Sequence, residues 1–259
     1  MSARLVYDSS WNGLLTTFNH CLNQDIQIAE IVSLQTQTFS LFGEPVIVNT
    51  NLMEAGKLKE YIKKRMGENP LRLMYHAWLS EERSIEDALY QYLLLGLREG
   101  KKFSNFLTNE YVLHIETLAK KVMREKHRYL GLLRFTTIQD DILLAEFEPD
   151  YFILPLLAKP FFDRLGSEDF IIFDKKRKKI LIKEQGNLYF QTVDDELISS
   201  LKTQQDDKTY ENLWITYFKT IAITLRHNLK LQRSRVPFKC VPYLTESTAI
   251  QEEYGLGRD

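Results

Sequence analysis

The sequence predicts an α+β fold: a helical N-terminal half with a short N-terminal strand, then an antiparallel sheet with helices in the C-terminal half. Three observations predict it. Apolar residues recur at spacings of three and four from Leu52 to Val122. Short apolar runs separated by turn residues fill most of 129–193. The sequence shows no internal repeat, and its pattern changes from helical to strand-like at residue 129.

The elements follow in order. "RLVY" (4–7) reads as a strand, and "DSS" caps a helix carrying Trp11, Leu14, Leu15 and Phe18. Residues 23–50 are polar and irregular, with a strand at "VIVN" (46–49). Helices are expected over 52–65 and 71–79. Ser84 opens another, with Asp87 three residues on in a capping-box variant, and Gly100 closes it. Thr108 or Asn109 starts a fourth, with Tyr111, Val112, Ile115, Leu118, Ala119 and Val122 on one face.

The pattern changes at residue 129. "YLGLLRF" and "ILLAEFE" read as strands joined by "TTIQDD". "YFILPLLAKPFFDRL" is helical in part, with Pro155 near its first turn. Its "FILPLLAKPFF" portion is either core or a docking surface. "DFIIFD", "KKILIKE" and "LYFQTV" are three more strands, with turns at "KKR" and "QGN". A mostly helical region, 1–128, thus precedes a sheet region, 129–259, that ends in a basic amphipathic helix.

Composition narrows the function classes. Hydrophobic residues are 44% and charged residues 27%, an ordinary globular balance. The net charge is -1, so any nucleic-acid surface must come from local clustering. No apolar run is long enough to span a bilayer, and the N-terminus lacks a signal-peptide core. Cys21 and Cys240 are isolated, which points to a reduced, cytoplasmic setting.

Residues 210–233 offer the clearest charged surface. On a helical wheel Tyr210, Leu213, Trp214, Tyr217, Phe218, Ile221 and Leu225 share one face. Lys219, Arg226, Lys230 and Arg233 gather on the far side, within a sector of about 60°. Either that side is simply solvated, or it tracks phosphates together with Arg235 and Lys239.

Two other patterns bear on chemistry. Pro149-Asp150 and Asp174-Lys175-Lys176 fit the loose PD…(D/E)xK arrangement of magnesium nucleases. There two carboxylates hold the metal and a lysine assists the attacking water. The bland alternative makes Asp174 a turn aspartate, or the ion-pair partner of Arg177. His20, His76, His114, His127 and His227 are scattered, without metal-ligand spacing, and no P-loop or GxGxxG occurs. No metal, cofactor or reaction is assigned from these residues.

Several longer stretches carry a resemblance. They are Tyr7-Asp8, "WLSEE" (78–82), "LLLGLREG" (93–100), "REKHRYLGLLRF" (124–135) and "FEPDYFILPLLAKPFFDRL" (147–165). "IIFDKKR" (171–177), "LWITYFKTIAITLRHNLKLQRSRVP" (213–237) and "LTE" (244–246) complete the series. In this order they resemble a bacterial family of DNA-metabolism and DNA-repair proteins. Its members are encoded beside a radical-SAM protein, and many are fused to a uracil-DNA glycosylase domain. The family usually has Gly where Ser9 stands and an aromatic residue near Cys240. With thirteen residues after Glu246, no glycosylase domain is expected within this sequence.

The resemblance implies an accessory role in DNA repair, with DNA, a radical-SAM protein and a glycosylase as partners. By position it also brings forward His127, Arg128, Arg134, Asp150, Asp174, Arg177, Arg226, Asn228 and Gln232. The expected nucleic-acid contacts are Arg177, Lys219, Arg226, Asn228, Lys230, Gln232, Arg233 and Arg235, with the Lys175–Lys179 turn. Two rivals stand beside this reading. One is a magnesium-dependent nuclease using Asp150, Asp174 and Lys176; the other is a protein-interaction adaptor that does not touch DNA.

Overall fold

The computed structural model describes residues 3–24, 28–34, 45–105, 108–138, 142–194 and 235–245. The chain divides into two compact units, Met1–Met123 and Arg124–Asp259. The fold is mixed α and β, with a largely antiparallel sheet in the second unit.

The first unit opens with β1 (Ala3–Tyr7) and α1 (Trp11–Gln24), followed by β2 (Ile28–Ser33) and β3 (Val46–Ile47). These strands form a parallel sheet in the order β2-β1-β3. The polar look of 23–50 hides β2, whose Ile31 and Val32 are buried, Ile31 within the core of this unit. β3 is also shorter than the expected 46–49. At the β1–α1 corner Asp8 accepts the Ser10 N–H and Ser10 Oγ accepts the Gly13 N–H, as the "DSS" cap predicts. Gly13 has no room for a side chain, because a Cβ there would collide with the Asp8 carboxylate. Ser9 lies at φ 64°, the left-handed region that favours glycine.

Four helices follow: α2 (Leu52–Met66), α3 (Glu68–Trp78), α4 (Ile85–Glu99) and α5 (Glu110–Leu132). Asn51 caps α2 by accepting the N–H groups of Met53 and Glu54. Asn109 caps α5 through Tyr111 and Val112 in the same way. The capping box at Ser84 does not form. Ser84 sits at φ 60° and makes no side-chain cap, while Asp87 accepts the Ile31 N–H of β2 instead. The core of this unit includes Leu5, Leu14, Phe18, Ile31, Leu58, Leu89 and Leu93.

The change of pattern at residue 129 falls inside α5 rather than at a strand. Val122, Glu125 and Tyr129 are all buried, at a spacing that continues the apolar face of Ile115 and Leu118. Helical register therefore overrides the strand-like run "YLGLLRF", and only Phe135–Thr137 becomes β4. β5 (Leu143–Phe147), α6 (Leu154–Leu165), β6 (Phe170–Asp174), β7 (Lys179–Glu184) and β8 (Asn187–Thr192) complete a sheet ordered β4-β5-β6-β7-β8.

One pairing departs from the antiparallel expectation: β5 and β6 run parallel, with α6 as the crossover between them. α6 buries Leu154, Leu157, Ala158 and Phe161, a single helical stripe. "FILPLLAKPFF" therefore supplies core through Ile153, Leu154, Leu157, Ala158 and Phe161, with the remaining residues half-buried or exposed. Lys183 is 2% exposed and donates to the carbonyls of Gly166 (2.5 Å) and Glu168 (2.8 Å) just past the end of α6. Among the described residues, no helix is long and apolar enough to cross a membrane.

Candidate nucleic-acid interface

The β6–β7 turn carries a run of cations, and Asp174 shapes it. Its Oδ1 accepts the Arg177 N–H at 3.2 Å, and its Oδ2 accepts from Arg177 Nη1 at 3.0 Å. This is an aspartate holding its own turn, with a charge-assisted bond added. Lys178 takes the left-handed conformation that the reversal needs, at φ 53°. The Arg177 fork reaches further, donating through Nη1 to Pro149 O (3.3 Å) and through Nη2 to Asp150 O (2.9 Å).

The turn at 148–151 is gripped by other elements as well. Glu125 of α5, with its side chain 4% exposed, accepts the N–H groups of Asp150 (2.9 Å) and Tyr151 (2.8 Å). Tyr129, one turn along the helix, donates its hydroxyl to Glu148 O at 3.1 Å. A 3-10 helix, Phe238–Tyr243, closes the far side. Its Lys239 ammonium lies 3.2 Å from Glu125 Oε1 and 2.5 Å from Asp150 Oδ2. Its Tyr243 hydroxyl donates to Glu148 Oε2 at 3.0 Å. Burial alone would lower the Lys239 pKa, but the Asp150 and Glu125 carboxylates outweigh it and hold the ammonium above its ordinary value. Burial raises the Cys240 thiol, with partial opposition from its bond to Tyr129 and the charges of Lys239 and Arg128.

The three residues of the nuclease pattern, Asp150, Asp174 and Lys176, come together at this turn. Asp174 is fully buried and both its oxygens are engaged by Arg177. Lys176 reaches the main-chain oxygen of Asp150 (3.0 Å), while the Asp150 carboxylate faces Lys239. Among the described residues, no group of three or more His, Cys, Asp or Glu is placed to hold a metal.

The predicted phosphate contacts divide sharply. Arg177 is 8% exposed and committed to Asp174 and two carbonyls, so it builds the turn instead of reaching outward. Lys239 is similarly held by two carboxylates. Lys175, Lys176, Lys178 and Arg235 are exposed. Lys175 lies over the Tyr243 ring (5.5 Å) and Lys179 over the Phe152 ring (4.5 Å), so aromatic faces flank the cationic tip. Lys219, Arg226, Asn228, Lys230, Gln232 and Arg233 lie outside the described residues. Of the other family-like positions, His127 is exposed and Arg128 half-buried, while Arg134 Nη1 donates to the carbonyl of Gly131.

Glu125, Tyr129 and Tyr243 organise this region without having stood out as site residues, and Lys239, read as an extension of the phosphate-tracking stripe, joins them. One signal was available for Glu125: it is an acid on the apolar face of an otherwise regular helix, and such residues are buried only when paired. Nothing local marks the others, whose partners lie far away in sequence.

No curated protein matches the chain. Residues 83–246 match DUF4130, a domain of unknown function, and the chain belongs to that family.

Proposed function

We propose that the protein is a DNA-associated accessory factor. It binds nucleic acid through the Lys175–Lys179 tip and the basic side of 210–233, and it acts beside a radical-SAM or glycosylase partner. The observation that carries this reading is the tip itself: Lys175, Lys176 and Lys178 are exposed on one turn. The contacts of Lys175 with an aromatic ring and of Lys176 with a carbonyl do not neutralise either charge. A rigid turn presenting several ammonium groups suits the phosphate backbone, which is read by charge and position more than by sequence. The family resemblance supplies the DNA context.

The test is a fluorescence anisotropy titration of single- and double-stranded DNA against wild type and Lys175→Glu/Lys176→Glu/Lys178→Glu. Affinity should fall at least tenfold, and the log–log salt slope on duplex should drop by roughly 2.7, at about 0.9 per lost phosphate contact. A folded triple variant that binds like wild type would remove the tip from the interface. The companion variant, Arg226→Glu/Arg233→Glu, asks the same of the 210–233 segment. Co-purification with the radical-SAM protein under anaerobic conditions tests the partnership.

A further inference from the structure

The strand β8 is unlike the rest of its sheet. It is the terminal strand in the order β4-β5-β6-β7-β8, joined to β7 through Gln185 (φ 48°) and Gly186 (φ 79°). Both turn residues have positive φ, the signature of a tight hairpin that fixes register. That register pairs Leu181 with Phe190, Ile182 with Tyr189 and Lys183 with Leu188. Across it burial collapses. Leu181 is 0% and Lys183 2% exposed, whereas Leu188 is 37%, Tyr189 49% and Phe190 53% exposed. All six residues of β8 are exposed, on both faces.

Edge strands in soluble proteins are normally blunted by charge, proline, a bulge or extreme shortness. β8, "NLYFQT", has none of these. It contains no charged residue, no proline and no glycine, and its pairing with β7 runs without a register shift. It keeps a regular backbone ladder on one side and, among the described strands, has no neighbour on the other.

We infer that β8 is a self-association edge, and that its occupant is the β8 of a second copy of this chain, paired antiparallel across a twofold axis. The inference is independent of the nucleic-acid reading. A twofold interface needs a patch that complements itself. A twofold perpendicular to the sheet pairs residues of the same face. Centred on Tyr189, it sets the two Tyr189 rings opposite each other. Each Leu188 then faces Phe190 of the copy, and Asn187 faces Gln191. Apolar side chains meet apolar ones, amides meet amides, and the uncharged strand brings no like charges together. The two sheets become continuous, and the ladder positions left open on each edge are filled.

The experiment is sedimentation velocity on the full chain from about 1 to about 200 µM, a range suited to the weak association that a single strand pair supports. Wild type should move from monomer towards dimer. Because the symmetric register places position 189 against itself, Tyr189→Lys and Tyr189→Glu should each be monomeric throughout, and an equimolar mixture should recover the dimer. Both substitutions fall on an exposed side chain, so the fold should be kept; Tyr189→Thr, a good strand former, provides a milder variant expected to weaken association. Four outcomes would overturn the proposal. Wild type could stay monomeric across the range, or both charged variants could dimerise alone. The mixture could fail to associate. Last, β8 substitutions could weaken DNA binding while wild type stays monomeric, which would assign the strand to nucleic acid instead.

Discussion

The turn at 148–151 and the strand β8 belong to one unit and differ in almost every physical respect. At the turn, the N–H groups of Asp150 and Tyr151 and the carbonyls of Glu148, Pro149 and Asp150 all have partners, drawn from α5 and the β6–β7 turn, while the Phe238–Tyr243 helix engages the Glu148 and Asp150 carboxylates. Along β8, six consecutive residues are exposed, and among the described strands its backbone is paired on one edge only. A concentration of ionisable residues is therefore not by itself a sign of a ligand. Here it marks a loop whose buried polar groups had to be satisfied by side chains because no sheet or helix satisfies them. The bland-looking strand carries the unexplained surface.

The largest expected effects lie at the turn. Asp174→Ala would leave the Arg177 guanidinium almost fully buried without its carboxylate. Breaking one side of such a pair costs about 3–5 kcal/mol, and the urea midpoint should fall accordingly. Glu125→Ala removes the acceptor of two N–H groups and one partner of Lys239, for a loss of about 3 kcal/mol. If either variant unfolds like wild type, the turn is less dependent on its polar partners than its geometry indicates. A smaller loss from Glu125→Gln would show that one N–H acceptor, and not the charge, carries most of the effect.

A buried acid in the other unit sharpens the contrast. Glu86 is 8% exposed and accepts from the Tyr7 hydroxyl at 2.9 Å, which itself accepts from Trp78 Nε1. Glu125 has an ammonium beside it; the hydrogen bond to Glu86 comes from a neutral hydroxyl. Burial raises the Glu86 pKa, and Asp87 and Glu30 add to the rise against the opposing Tyr7 bond. With the folded pKa above the unfolded one, the folded state holds this proton longer. That contribution is complete below the ordinary carboxylate range and is lost as pH rises through the folded pKa. Glu86→Gln should therefore gain on wild type as pH goes from about 4 to about 7, read as the difference in urea midpoints. A difference that stays flat or moves the other way would mean that Glu86 ionises as freely in the folded chain as in the unfolded one.

How much of this was legible in the sequence depended on range. The α1 cap, the α2 and α5 faces and the Gly100 stop were readable because their causes lie within four residues. β2 was not, since its partner β1 lies across α1 and its short apolar run sits within polar flanks. The extension of α5 past Val122 was masked by an apolar run that suits a strand equally well. The parallel β5–β6 pair needed knowledge of where α6 sends the chain. At the candidate interface, the Lys175–Lys179 tip was visible as a run of cations. The engagement of Arg177 and Lys239 was not, because Pro149 and Asp150 approach from outside their own segments.

Ser9 shows a smaller, local version of the same point. Its φ of 64° costs a side-chain-bearing residue something that glycine avoids. Ser9→Gly should stabilise the protein by about 0.5 kcal/mol, with the added flexibility of the unfolded chain cancelling part of the gain. The measurement is again the urea midpoint. A loss on substitution would mean that the serine side chain does more for the corner than its backbone strain costs.

The smallest effect is expected at β8, where it discriminates most. Tyr189 and Phe190 are about half exposed, so replacing them removes little buried apolar area. At low protein concentration, where any self-association is absent, Tyr189→Lys and Phe190→Lys should each shift stability by no more than about 0.5 kcal/mol. The β propensity lost in exchanging an aromatic residue for lysine lies within that figure at an edge position, where the ammonium remains in water. The comparison then holds in its strong form: the same unit tolerates charge on β8 and fails when a charge is removed at the turn. A loss above about 1 kcal/mol in the monomer would break it, because a side chain that stabilises its own chain by that much is packed against something. β8 would then be an internal element of the second unit, and the edge it offers to another copy would already be occupied.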